Sequence, residues 1–142
     1  MQTNYQRSAS EPKTVLVVED NELNLKLFVD LLDYHGYRVI TTTLGRLAVE
    51  LARQHRPDLI LLDIQLPDIT GMEVAQQLKA AVNTRPIPIV AVTAFAMSGD
   101  RQRVLESGCV DYLAKPFNVH EFLSIVEHYM NPNQKDLPQE IP

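Results

Sequence analysis

Five short, almost unbroken apolar runs, each followed by a segment whose apolar residues recur at helical spacing, limit this chain more than any other feature. The runs are Val15-Leu16-Val17-Val18, Tyr37-Arg38-Val39-Ile40, Leu59-Ile60-Leu61-Leu62, Ile87 to Val92 with Pro88 inside it, and Val110 to Leu113. Continuous runs of this length suit strands covered on both faces, as in a parallel sheet. Pro88 has no N–H for a ladder, so it demands a strand start or an unpaired position. The intervening segments carry helical stripes: Leu23, Leu27, Phe28, Leu31 and Leu32; Leu44, Leu47, Ala48, Leu51 and Ala52; Val74, Ala75, Leu78 and Val82; and Val119, Phe122, Leu123, Val126 and Met130. The segment around 97–107 is poorly amphipathic, with only Met97, Val104 and Leu105 large and apolar. Asn118 with Glu121 reads as a capping pair, Gly108 as a left-handed helix end, Gly71 as the start of the third helix, and Thr41, Thr42 and Thr43 as a polar turn.

A β-α unit repeated five times, with right-handed crossovers, predicts an α/β fold: a five-stranded parallel sheet with helices on both faces, doubly wound. The 142 residues suit one domain. Residues 1–12 are polar, and residues 131–142 hold three prolines and two large apolar residues. Both read as disordered extensions around a domain spanning 13–130. No run approaches about 18 uninterrupted apolar residues, and the polar N-terminus lacks a secretory h-region, so neither a membrane span nor export is expected. Thirteen basic and eighteen acidic residues leave a net charge of −5, which biases the chain away from nucleic acid and anionic lipid. Its single cysteine, Cys109, excludes an intrachain disulfide and a multi-cysteine metal site; a reducing, cytoplasmic setting fits best.

In doubly wound sheets the ligand site lies beyond the carboxyl ends of the strands. Glu19 and Asp20 follow the first run, Asp63 ends the third, Thr93 follows the fourth, and Lys115, then Pro116, follow the fifth. Singly each is weak: Asp20 alone reads as well as a helix cap, and Lys115 alone as a solvated side chain. Together they bring three carboxylates, a hydroxyl and an ammonium to one edge. Such a cluster should take a hard divalent cation with oxygen ligands, Mg²⁺ foremost and Mn²⁺ as an alternative. The cation site could then accept a phosphoryl group, with Lys115 and Thr93 serving its oxygens and the central Asp63 as nucleophile.

The segments VLVVEDNELN (15–24), DLILLDIQLPDITG (58–71), IPIVAVTAFA (87–96) and DYLAKPF (111–117) resemble the receiver domain of two-component response regulators, which has the flavodoxin/CheY-like form of this fold. The likeness covers about residues 13–130. Within that family the chain is most similar to the single-domain DivK-type cell-cycle regulators, through VEDNELN, DLILLDIQLP and VAVTAFAM. The resemblance implies Asp63 as phosphoacceptor, Glu19 and Asp20 as the acidic pair for Mg²⁺ with the Gln65 main-chain carbonyl as a further ligand, Thr93 and Lys115 as the phosphoryl-sensing pair, and Tyr112 at the aromatic switch position. It implies as partners a histidine kinase or histidine phosphotransfer protein and a downstream protein, such as a cell-division kinase. Glu19 departs from the commoner Asp; its extra methylene still reaches a metal-bound water. Phe95, two residues after Thr93, would hinder hydrolytic water, so self-dephosphorylation is expected to be slow in a phosphoacceptor that is not otherwise an enzyme.

Three other readings compete. A haloacid-dehalogenase-type phosphatase wants a second Asp two residues after the nucleophile, and that position is Gln65. A flavin or nucleotide binder wants a Gly- or Ser/Thr-rich loop after the first strand, where Glu19 and Asp20 stand. A receiver signalling without phosphate would not need Asp63, Thr93 and Lys115. A DNA-binding output is disfavoured, since about twelve residues follow the fifth helix. His35, His55, His120 and His128 show no ligand spacing, half-buried packing is the alternative reading of Tyr112, and Cys109 reads as a small buried hydrophobe.

Overall fold

The computed structural model describes residues 11–94 and 98–131, with side chains in the second stretch from 101 onward. The elements run β1 (Thr14–Val18), α1 (Glu22–Tyr34), β2 (Arg38–Thr42), α2 (Gly45–His55), β3 (Leu59–Asp63), α3 (Gly71–Ala80), β4 (Ile89–Thr93), α4 (Ser98–Glu106), β5 (Asp111–Ala114) and α5 (Val119–Met130). All four strand pairings are parallel, in the order β2-β1-β3-β4-β5. The chain turns back on itself at β1, so the crevice between β1 and β3 is where this topology opens a ligand site.

Alternation along the strands divides the interior into two layers. Leu16, Val18, Ile60, Leu62, Ile89 and Ala91 face Ala48 and Ala52 of α2, Val74 and Leu78 of α3 and Val104 of α4. Val15, Val17, Leu59, Leu61, Val90, Val92 and Leu113 face Phe28 and Leu32 of α1 and Phe122, Val126 and Met130 of α5. The second layer is organised by three near-parallel rings, with Phe28 at 5.1 Å from Phe122 and 5.6 Å from Phe117. The two layers explain the continuous apolar runs: both faces of β1, β3 and β4 are buried.

The structure corrects several sequence boundaries. β2 extends through Thr41 and Thr42, which pair with Val17 and Val18, so only Thr43 belongs to the expected turn. β2 is an edge strand, where β-branched threonines fit a partly wet pleat. β4 begins at Ile89, with Pro88 just outside it. Pro88 still contributes the one ladder group it has, its carbonyl, to the Ile60 N–H at 3.0 Å. β5 begins at Asp111, leaving Val110 outside it and 44% exposed. The buried stripes of α1 and α3 are narrower than the sequence spacing suggests: Leu23 is 80% exposed, and Val82 lies beyond α3 at 73%.

Helix ends follow local chemistry. Asn118 and Glu121 form both halves of a capping box on α5. Asn21 caps α1 by accepting from the Asn24 N–H. Gly108 adopts φ +117°, a conformation that favours glycine, after α4. Gly71 is required for a different reason: a Cβ there would lie 2.4 Å from the Asp63 carbonyl oxygen and 2.7 Å from the Ile64 Cα. α3 therefore starts pressed against the backbone that carries Asp63.

Candidate phosphoryl and metal site

Three strand ends deliver the site. Glu19 and Asp20 leave β1, Asp63 is the last residue of β3, and Lys115 follows β5. One carboxylate oxygen from each of Glu19, Asp20 and Asp63 lies within 4.8 Å of the others. The Lys115 ammonium is 3.2 Å from Glu19 Oε1 and 3.3 Å from Asp63 Oδ2. These side chains, with Asn21, Glu22, Asn24 and Gln65, line a cleft of about 620 Å³. The four charged residues predicted at this edge are thus brought together.

Their burial differs. Glu19 and Asp63 are buried, while Asp20 is exposed. Burial pushes the Glu19 carboxyl up to about 7; the hydrogen bond and charge of neighbouring Asp63 push the same way, against Lys115. Two buried carboxylates sharing one ammonium are short of positive charge. Glu19 Oε2 accepts from the Asn21 N–H at 3.2 Å and from Lys115 Nζ at 3.3 Å, whereas the buried Oε1 meets Lys115 only as an ion pair at 3.2 Å and has no hydrogen-bond donor. An all-oxygen set with one orphaned buried acceptor and one solvent-facing carboxylate fits a small hard divalent cation that keeps part of its water. Glu19, Asp20 and Asp63 would hold it.

The loop after Asp63 is tightly tied. Gln65 N–H donates to Asp63 Oδ1 at 2.9 Å, and Gly71 N–H donates to the Ile64 carbonyl at 2.9 Å. Gln65 stays exposed at the cleft edge, with its carbonyl on this loop. Thr93 closes β4 and is fully buried; its carbonyl accepts from the Lys115 N–H at 2.8 Å, tying the hydroxyl-bearing and ammonium-bearing strand ends. Thr93 also lines, with Gln65, Met72 and Val104, a neighbouring cavity of about 430 Å³.

Tyr112 lies apart from the acidic cluster. It pairs with Ala91, is half-buried against the α2–α3–α4 layer, and has the Arg101 guanidinium 5.1 Å from its ring centroid. Phe95 lies outside the described residues. Cys109 is buried, which pushes its thiol up to about 11. Two residues stand outside the sequence expectations, Asn21 beside the cleft and Arg101 over the Tyr112 ring. Asn21 had a local signal, an Asn three positions before the Asn24 N–H it caps. Arg101 had none, since its contact joins α4 to β5.

Most of the chain is similar to known proteins. The family model described as the response regulator receiver domain matches residues 15–127. The polar-differentiation response regulator DivK of Brucella anthropi is 52% identical over 119 residues, covering 84% of this chain and 97% of that protein. DivK of Brucella ovis is 51% identical, covering 83% of this chain and 96% of that protein. Among solved structures, the receiver domain of a Pseudomonas aeruginosa sensor histidine kinase, with a magnesium ion coordinated in its active site cleft, is 38% identical with TM-score 0.79, covering 84% of this chain and 98% of that one. The Vibrio cholerae chemotaxis protein CheY4 is 27% identical with TM-score 0.79, covering 84% of this chain and 99% of that one. The chain belongs to the response regulator receiver domain family, and among its relatives it is DivK-like.

Proposed function

We propose that this chain is a phosphorylation-controlled switch in a two-component phosphorelay, with Asp63 as phosphoacceptor. The observation that carries the reading is the convergence of Glu19, Asp20, Asp63 and Lys115 at the β1/β3 crevice, with Thr93 on the adjoining strand end. A carboxylate oxygen of Asp63 attacks the phosphorus of a phosphohistidine in line. The new P–O bond forms as the P–N bond breaks, and the electron pair leaves with the imidazole of the donor. Glu19, Asp20 and Asp63 would hold Mg²⁺, whose charge would offset the negative charge gathered on the carboxylates and phosphoryl oxygens. Lys115 exchanges part of its contact with Asp63 for a phosphoryl oxygen, and the Thr93 hydroxyl donates to another. Gln65 offers its main-chain carbonyl to the cation.

The donor is a histidine kinase or a histidine phosphotransfer protein, and the setting is cytoplasmic. No helix among the described residues is long and apolar enough to cross a membrane. Movement of Thr93 toward the phosphoryl group lets Tyr112 turn inward and changes the surface of α4, β5 and α5. Leu105, Val110 and Val119 already expose apolar area there for a protein partner. The DivK relatives are polar-differentiation response regulators, and by likeness this partner acts in polar differentiation. Slow self-dephosphorylation rests on the sequence position of Phe95, and a longer phosphoryl lifetime in wild type than in Phe95→Glu is its test.

Intact mass after incubation with Mg²⁺ and acetyl phosphate tests the main reading. One phosphoryl group should appear on wild type, none on Asp63→Asn, and none with a metal chelator. An adduct on Asp63→Asn would remove Asp63 from this role. Absence of any adduct, together with no Mg²⁺ binding, would favour an interaction module that works without phosphate.

A further inference from the structure

The N-terminus of α2 is not capped by its own sequence. Leu44 stands at the N-cap and supplies no side-chain acceptor. The acceptor comes instead from Asp68, five residues beyond Asp63, on the loop between β3 and α3. Asp68 Oδ1 accepts from the Gly45 N–H at 2.9 Å, and Oδ2 accepts from the Arg46 N–H at 2.8 Å. Both oxygens of one carboxylate are therefore spent on amides that the helix leaves without partners, at the end where its dipole favours an anion. Desolvation is the largest single influence and raises the Asp68 carboxyl, but the backbone amides of Arg46, Gly45, Ile69 and Asp68 together outweigh it and hold the group below the ordinary Asp range.

The same loop touches α2 a second time. A Cβ on Gly45 would lie 2.9 Å from Ile69 Cγ1 and 3.1 Å from Leu66 Cδ1, so the loop packs directly on the α2 backbone. The loop is also tied at its two ends, Gln65 to Asp63 and Gly71 to Ile64. Between them, the Asp68 carboxylate ties the middle of the loop to α2.

We infer that Asp68 is a positioning residue for the phosphoryl site: by bridging the first amides of α2 it holds the loop in the shape that presents the Gln65 carbonyl to the cation. This rests on the proposed function, since it assumes that the acidic cleft binds Mg²⁺. Asp68 touches neither cation nor phosphoryl group, and it acts only through the loop. α2 thereby serves as an anchor for the site although none of its own side chains lines the cleft.

The test is calorimetric titration of Mg²⁺ into the full chain, with melting temperature measured beside it, for wild type, Asp68→Ala, Asp68→Asn, Ala52→Gly and Asp63→Asn. Asp68→Ala should bind Mg²⁺ roughly tenfold more weakly, the low end of the loss that follows when outer-shell supports of metal ligands are removed. Asp68→Asn keeps one oxygen acceptor and should recover part of that loss. Ala52→Gly weakens α2 at its buried far end without touching the loop, so it should melt earlier yet bind Mg²⁺ as wild type does. Equal affinity for wild type and Asp68→Ala, while Asp63→Asn loses binding, would overturn this inference and leave the proposed function standing. An Ala52→Gly loss as large as that of Asp68→Ala would also overturn it, by showing general loosening. Were Asp68→Ala to fail to fold, the comparison of Asp68→Asn with Ala52→Gly carries the same decision. Absence of Mg²⁺ binding by wild type would overturn the proposed function and this inference with it.

Discussion

α4 and α5 lie on either side of β5, and they are held very differently. α5 buries Phe122, Val126 and Met130, starts with a complete capping box, and donates from Tyr129 Oη to Asp111 Oδ2 at 2.9 Å. Its first turn also joins the Phe28–Phe117–Phe122 stack. α4 buries Val104 alone among its described side chains, and its outer contact to β5 is the Arg101 guanidinium over Tyr112. The same strand is thus clamped from one face and lightly covered from the other. Local stability follows buried apolar contact, so the α4 side should open at lower cost than the α5 side. A strand whose two neighbours differ in this way can change shape on one face while keeping its register on the other.

The contrast is broken most directly by truncating each helix's buried anchor. Phe122→Ala should cost about 3–5 kcal/mol in urea unfolding, and Val104→Ala only about 1–2 kcal/mol. Equal costs would mean that α4 is held by contacts beyond Val104. Asn118→Ala removes the acceptor of the α5 capping box and should cost about 1 kcal/mol, with faster amide exchange confined to the first turn of α5. Exchange that quickens equally in α4 would show that the two helices open together.

Tyr129→Phe should cost about 0.5–1 kcal/mol near neutral pH. Burial, helped by the hydrogen bond and charge of Asp111, pushes the Tyr129 hydroxyl from 10.0 up to about 12. Its folded form keeps a proton that the unfolded chain gives up first. The contribution is therefore complete below about pH 10 and is lost as pH rises toward 12. Stability curves of wild type and Tyr129→Phe should converge over that window; parallel curves would mean that the bond to Asp111 does not act in solution. The smallest effect belongs to Arg101→Gln, about 0.5 kcal/mol for a cation–π contact at an exposed site. It should speed amide exchange in α4 and β5 and leave α5 unchanged.

Much of this architecture was legible in the chain because the strands are buried on both faces and the helices on one. The alternation of runs and stripes carries the topology, and the topology carries Glu19, Asp20, Asp63 and Lys115 to one edge. The boundaries that moved did so where tertiary context overrode local pattern. Thr41 and Thr42 look like a turn but are tolerated on an edge strand. Leu23 fits the stripe of α1 by spacing and yet faces solvent in the first turn of the helix. Long-range pairings left no local trace: nothing near Leu44 announces that its missing cap comes from Asp68, and nothing near Tyr112 announces Arg101. The raised Glu19 carboxyl was likewise invisible, since it depends on how deeply β1 sets that side chain beside Asp63.

The burial of Cys109 has a practical consequence. With its thiol pushed up to about 11, very little of it is ionised near neutral pH, and the reactive form of a cysteine is the thiolate. The chain also has no tryptophan. A cysteine introduced on the outer face of α4 could therefore be labelled selectively, and a tryptophan placed there would be the sole indole reporter, with the native background silent in both chemistries.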